Sequence, residues 1–205
     1  MTSGAPRRPG EWALVRARRE WRASAVLVAA TILGTPVAIL ALRLDRPLIV
    51  LLPLLGLVVL AARLADRRTD KAVRWTKGGR SEEAVGELLD SLCVEGYVVE
   101  HDIEQPWEGN VDHLVAGPTG VFLIETKHRR YKDGAPAKAK RQAAKLHAEL
   151  GVWVTPVICV HARQRTPIRH QGVWVMSADQ LLEWIRAQRG RQAEPAALAR
   201  FVGRR

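Results

Sequence analysis

The stretch NVDHLVAGPTGVFLIETK, residues 110–127, reads as two short apolar strands around a tight turn. Its centre, Gly117-Pro118-Thr119-Gly120, carries Pro second and Gly last, a type I turn pattern. Pairing Gly117 with Gly120 sets Ala116 opposite Val121, Leu114 opposite Leu123 and Asp112 opposite Glu125. Side chains alternate across a strand, so these six residues share one face. Lys127 joins that face and opposes Asn110. Val111, His113, Val115, Phe122 and Ile124 point the other way. Both faces are rich in apolar residues, as in a central strand pair covered on both sides.

Two carboxylates placed opposite one another repel. A divalent cation held by Asp112 and Glu125 would offset that repulsion, with Lys127 near enough to act on an activated water. The same three charges could equally lie solvated where the hairpin opens. From the hairpin alone both readings stand.

Outward from this segment, composition divides the chain. Residues 23–42 and 47–62 hold no charged residue, and Arg63 can snorkel to extend the second stretch to Ala65. A bilayer core takes about 20 apolar residues, roughly 17 at the least. Neither stretch has a polar face, and the first exceeds the apolar run of about 7–15 residues in a cleaved signal. Two membrane helices joined by the turn Arg43–Arg46 follow. Arginines and lysines crowd the two outer flanks, from Arg7 to Arg22 and from Arg63 to Lys77, while the turn offers Arg43 and Arg46 alone. The positive-inside rule then predicts a two-pass protein of the cell membrane with both termini and the soluble domain in the cytoplasm.

The net charge of +11 is unevenly placed. Residues 1–74 carry 13 Lys/Arg against 5 Asp/Glu, which serves topology and contact with anionic lipid. Residues 75–125 hold 2 basic and 11 acidic side chains, and residues 126–205 hold 17 and 5. The basic excess begins beside Glu125, with Arg129, Arg130, Lys132, Lys138, Lys140, Arg141 and Lys145. A phosphate backbone guided to the carboxylates fits that placement, as does a solvated basic helix. Cys93 and Cys159 lie in apolar contexts and are expected as buried free thiols. No spacing suggests zinc.

The organisation expected is a basic segment over 1–22, the hairpin over 23–65, a juxtamembrane linker over 66–80, a domain over 81–190, and a C-terminal helix with a basic tail over 191–205. Gly78-Gly79 marks a break, after which Ser81 caps a helix with an apolar stripe at Val85, Leu88, Leu89 and Leu92. Strands follow over 96–103, in the hairpin, over 153–160 and over 172–177, with helices over 136–150 and 178–190. This α–β–β–β–α–β order, then β–α, implies an α/β fold with a mixed sheet between helices.

The pieces KGGRSEEAVGELLDSL, HDI, NVDHLVAGPTGVFLIETK and the glutamine of KRQAAKL resemble the nuclease-related domain (NERD) of the PD-(D/E)xK nuclease-like superfamily. The resemblance covers roughly residues 75–180. It implies an αβββαβ core, with Asp112 and Glu125 as ligands of Mg2+ or Mn2+ and Lys127 positioning the attacking water. It further implies that Glu82 assists the metal site, and it places Gln142 at a family glutamine, expected with Lys145 one turn on to contact nucleic acid. Ser81 stands where the family commonly has Gly, and HRRYKDG departs from its usual run after the lysine.

The function expected is a membrane-anchored, metal-dependent nuclease acting on nucleic acid, DNA ahead of RNA, with a homodimer an ordinary arrangement for such an enzyme. A nuclease-like module that only binds nucleic acid or a partner at the membrane is the alternative. His113 alternates away from Asp112 and is expected as a core histidine, while Asp102 at a strand end is expected in solvated loop. Trp153, Trp174 and Trp184 are expected in core packing, and Trp107 in a loop where it could stack on bases.

Overall fold

The computed structural model describes residues 8–44, 48–104, 109–164 and 166–189. Its first elements are two long helices, α1 (Glu11–Arg43) and α2 (Leu48–Asp90). α2 runs unbroken through Gly78, Gly79 and Ser81, which corrects the expected break and the new helix capped by Ser81. Each glycine costs a helix interior about 1 kcal/mol, too little to stop a helix that propagates from both sides. Ser81 is buried inside that helix, its Oγ 2.9 Å from Lys77 O.

The chain divides into two compact units, residues 13–76 and the segments before and after them. In residues 13–76 the buried side chains are small: Ala17, Ser24 and Ala38 on α1, Ala65 and Ala72 on α2. A Cβ added at Gly34 would stand 2.9 Å from Val58 Cγ2, so the helices pass closely there. Ser24 Oγ lies 2.6 Å from Thr69 Oγ1, and Arg68 donates to Glu20 at 2.8 Å. The large apolar residues face outward, Leu33 at 71% and Ile49 at 80% exposure. Small residues inside and large apolar ones outside invert the pattern of a water-soluble core. By length and composition both helices can cross a membrane. Of the expected turn, Asp45 and Arg46 lie outside the described residues.

The other unit is built on a mixed six-stranded sheet of β1 (Val98–Ile103), β2 (Val111–Gly117), β3 (Gly120–Lys127), β4 (Val154–Val160), β5 (Ile168–His170) and β6 (Val173–Ser177). The strand order is β1-β2-β3-β4-β6-β5. β1, β2 and β3 form an antiparallel meander, β3, β4 and β6 run parallel, and β5 closes the edge antiparallel to β6. Helix α3 (Ala135–Leu150) connects β3 to β4, and α4 (Ala178–Ala187) follows β6. This is the α/β architecture expected from the sequence, with β5 added. Its three residues carry no apolar alternation, with Ile168 and Arg169 exposed, so periodicity offers nothing to detect.

Apolar alternation assigns the sheet's two faces. Leu114, Ala116, Val121, Leu123 and Ile158 pack with Ala139, Ala143 and Leu146 of α3. Val115, Phe122, Ile124, Val157 and Cys159 pack with Val85 and Leu89 of α2 and with Leu181 and Ile185 of α4. The hairpin register is the one expected, from Gly117↔Gly120 through Ala116↔Val121 and Leu114↔Leu123 to His113↔Ile124. Val111 departs from it and joins the α3-side cluster with its partner Ile103. Asp102, next to Ile103, has a left-handed backbone (φ 51°) that bends β1 and turns this last pair over.

Two further expectations are corrected. Cys93 is exposed, because Ser91–Glu95 forms a 3-10 turn at the surface rather than more of the helix's apolar stripe. Trp153 is 71% exposed just before β4, whereas Trp174 and Trp184 pack partly buried on the α4 side of the core. Trp107 and the helix expected near 195–202 lie outside the described residues.

The hairpin turn is locked from outside. Tyr97 Oη donates to Thr119 Oγ1 at 2.9 Å, and Thr119 Oγ1 donates to Ile185 O at 2.8 Å. The Tyr97 ring lies where a Cβ on Gly117 would have to go. Gly117→Ala must therefore displace the ring and is expected to cost about 1–3 kcal/mol in chemical denaturation. A loss within error of zero would show that the ring does not constrain this turn.

Candidate functional site

The open end of the β2–β3 hairpin gathers the charged residues singled out in the sequence. Strand parity puts Glu125 and Lys127 on one face, and Lys127 Nζ donates to Glu125 Oε1 at 2.6 Å. Glu125 is 3% exposed. Where the regular β2–β3 pairs end, the Asp112 carboxylate takes over, its Oδ2 accepting the Thr126 N–H at 2.7 Å. Thr126 O in turn accepts from Lys127 Nζ at 3.0 Å. Thr126 thus links Asp112 through its N–H to Lys127 through its carbonyl, and Lys127 carries the link on to Glu125.

Lys138 enters the same cluster from the start of α3. Its Nζ donates to Glu125 Oε1 at 3.1 Å and to Oε2 at 3.2 Å. The sequence placed Lys138 among surface residues that guide phosphate. The structure places it instead half-buried on the carboxylate. A hint was available, since α3 buries Ala139, Gln142, Ala143 and Leu146 and so brings its neighbouring positions toward the sheet.

Gln142 also turns inward. It is fully buried, and its Nε2 donates to Gly109 O at 3.3 Å and Asn110 O at 3.2 Å. It holds the segment that leads into Asp112, where a nucleic-acid contact had been expected. Arg129, Arg130, Lys132, Lys140 and Arg141 are exposed, and Lys145 is half-buried.

The electrostatics follow from burial and proximity. Burial pushes the Asp112 carboxyl well above its usual range, Glu125 adds to this, and Lys127 opposes it. The Glu82 carboxyl is pushed up to about 7 by burial, then by Asp102, with Glu125 adding to the rise. Its charge is felt by Asp112 and Lys127, which puts Glu82 of α2 within the electrostatic reach of the cluster. For Glu125, burial is outweighed by Lys127 and Lys138, which hold it below the ordinary range. Burial also works against the Lys127 ammonium, but Asp112, Glu125 and Glu82 together raise it. Lys127 therefore stays charged at neutral pH.

Asp102 belongs to this field and corrects the expectation of a solvated loop. It is 5% exposed, and its Oδ2 accepts the Trp12 N–H at 3.3 Å.

On the opposite face of the sheet runs a polar chain that strand reading did not foresee. His113 is fully buried, as expected for a core histidine. Its Nε2 lies 3.1 Å from Thr126 Oγ1 and its Nδ1 lies 2.8 Å from His101 Nδ1. His101 Nε2 lies 3.0 Å from Asp90 Oδ1. One set of protons satisfies the chain: Thr126 Oγ–H to His113, His113 Nδ1–H to His101, and His101 Nε2–H to Asp90. Burial, with His101 adding to it, lowers the His113 pKa well below its usual value, which agrees with a neutral ring. Thr126 is thus fixed from both faces. Its position between Glu125 and Lys127, in phase with His113, was the available signal.

Among the described residues no group of three or more His, Cys, Asp and Glu side chains is placed to hold a metal ion. The donors at hand are carboxylate oxygens, the hard ligands that Mg2+ and Mn2+ take, and Mg2+ usually binds through one or two carboxylates with water and phosphate completing its shell. Burial and mutual repulsion leave Asp112 and Glu82 in need of positive charge. By donor chemistry Asp112 and Glu125 suit such a cation.

Residues 77–161 match the nuclease-related domain (NERD) family. Neither a curated protein nor a solved structure gave a match.

The raised Glu82 carboxyl has a stability consequence. A carboxyl whose folded value exceeds its unfolded one binds its proton more tightly when folded. Stability is therefore lost as pH rises from 4.5 to about 7. In chelator-containing buffer, Glu82→Gln should match the parent's melting temperature below pH 4.5 and exceed it above pH 7. Parallel curves for the two proteins at all pH values would contradict a raised Glu82.

Proposed function

We propose that this chain, which carries a nuclease-related domain over residues 77–161 behind two membrane-length helices, hydrolyses phosphodiester bonds of nucleic acid at the cytoplasmic face of a membrane. The observation that carries the reading is the chain of contacts around Thr126, whose N–H meets Asp112 and whose carbonyl meets Lys127, with Lys127 also on Glu125. A module that only bound nucleic acid would have no use for two acidic groups facing a polyanion.

In this reading Asp112 and Glu125 hold Mg2+ or Mn2+. Such a cation, when bound, supplies Lewis acidity toward the phosphate and toward water. Lys127, kept as an ammonium, orients the attacking water and stabilises charge that develops on the phosphate oxygens. Glu82, with a carboxyl near 7, is matched to accept a proton at neutral pH. The exposed cations Arg129, Arg130, Lys132, Lys140 and Arg141 lead the phosphate backbone to the site. The flanking arginines and lysines of the helical hairpin favour a cytoplasmic domain, and DNA is the first substrate to try.

One observation favours the non-hydrolytic alternative. Lys127 and Lys138 already neutralise Glu125, so the cluster is balanced there without a cation. Cleavage decides between the two readings.

The full-length chain in detergent, incubated with labelled DNA and RNA and with Mg2+ or Mn2+, should cleave one of them. Chelator should abolish the activity, and Glu125→Ala and Lys127→Ala should each lower it by about 100-fold or more. Binding with no cleavage, unchanged in Glu125→Ala, would leave a nucleic-acid tether. In either case, replacing Arg129 and Arg130 with Ala should flatten the salt dependence of binding by about 0.7–0.9 per lost phosphate contact in a log–log plot.

A further inference from the structure

We propose that Lys138 controls access of a divalent cation to Glu125: its ammonium straddles both carboxylate oxygens and must withdraw before Asp112 and Glu125 can hold a metal together. The inference rests on the metal-site reading above.

The two lysines on Glu125 are not equivalent. Lys127 contacts Oε1 alone and is also anchored on Thr126 O at 3.0 Å, so it can give up its share of the carboxylate and stay in place. Lys138 sits 3.1 Å from Oε1 and 3.2 Å from Oε2, the two-oxygen approach that a cation would otherwise make. Among the described residues Glu125 is the only side chain to which it is bound. It lies in the early turns of α3, where the positive end of the helix dipole disfavours an ammonium. The pair with Glu125 is what retains it there.

Glu125 is 96% buried at its side chain while that of Lys138 is 32% exposed. The carboxylate is therefore fixed in the core, and the lysine is the partner with a route out along its flexible stem. Once displaced, its charge stays on α3 beside the site and needs a new anion, which a phosphate of the substrate supplies. The expectation from the sequence that Lys138 meets phosphate then describes the metal-loaded state, and the pair with Glu125 describes the metal-free one.

Competition of this kind is measurable without turnover. Full-length protein in detergent, free of nucleic acid, is titrated with Mn2+ and followed by calorimetry and by the loss of the free-ion EPR signal. Lys138→Met removes the charge and keeps the stem. Lys138→Gln keeps a hydrogen-bond donor for Glu125 and guards against a packing defect. Both variants should bind Mn2+ about tenfold tighter than the parent, and adding Glu125→Gln should remove that binding. Equal or weaker binding in both lysine variants, with Glu125→Gln still abolishing it, would overturn the role of Lys138 and leave the metal site standing. Mn2+ binding indifferent to Glu125→Gln in every background would overturn both.

Discussion

Glu125 is a carboxylate that the sheet has almost wholly removed from water, and an isolated buried charge is among the costliest groups a protein can carry. Two ammonium groups on its oxygens make it tolerable. Each arrives by a different route. Lys127 comes along the same strand by alternation, and Lys138 comes from the helix that crosses back over the sheet. Asp112, just beyond the last regular pair of the hairpin, turns one oxygen onto the Thr126 N–H. The hairpin register, the placement of α3 and the reach of α2 to Glu82 all meet in this compensation.

Thr126 also joins the two faces of the sheet. Thr126 gives its backbone N–H and C=O to the acidic face and its hydroxyl to His113, in the layer packed against α2 and α4. A buried polar chain is stabilising only when each member finds a partner, and Asp90, His101, His113 and Thr126 meet that condition. Fixing Thr126 from behind limits how far the Glu125-Thr126-Lys127 backbone can shift, which is the kind of support a preorganised site requires.

Much of this was legible in the sequence because it rests on local periodicity. Alternation in residues 113–127 specified the register, the faces and the approach of Lys127 to Glu125, and the turn residues anchored the count, while Val111 fell on the other face. The order of helices and strands also held, except for β5, whose three residues carry no apolar signal. Errors arose where a local cue competed with cooperative structure. Gly78-Gly79 looked like a helix end, yet helix propagation carried α2 through it. Asp102 looked like loop, yet it lies in β1 with a left-handed backbone of its own and is buried.

By itself the amino-acid sequence determined the two long apolar helices, the α/β order and the hairpin register from His113↔Ile124 to the turn, since each follows from spacing along one segment. Only the tertiary structure decided that Lys138 leaves the basic surface for Glu125, that Gln142 turns inward to hold the lead-in to Asp112, and that His101 and His113 form a chain to Thr126. Those contacts join residues of different elements, and their geometry depends on how α3 and β1 are set on the sheet. A pattern of residue types records which groups are charged. Which of them must share a buried space is settled by packing.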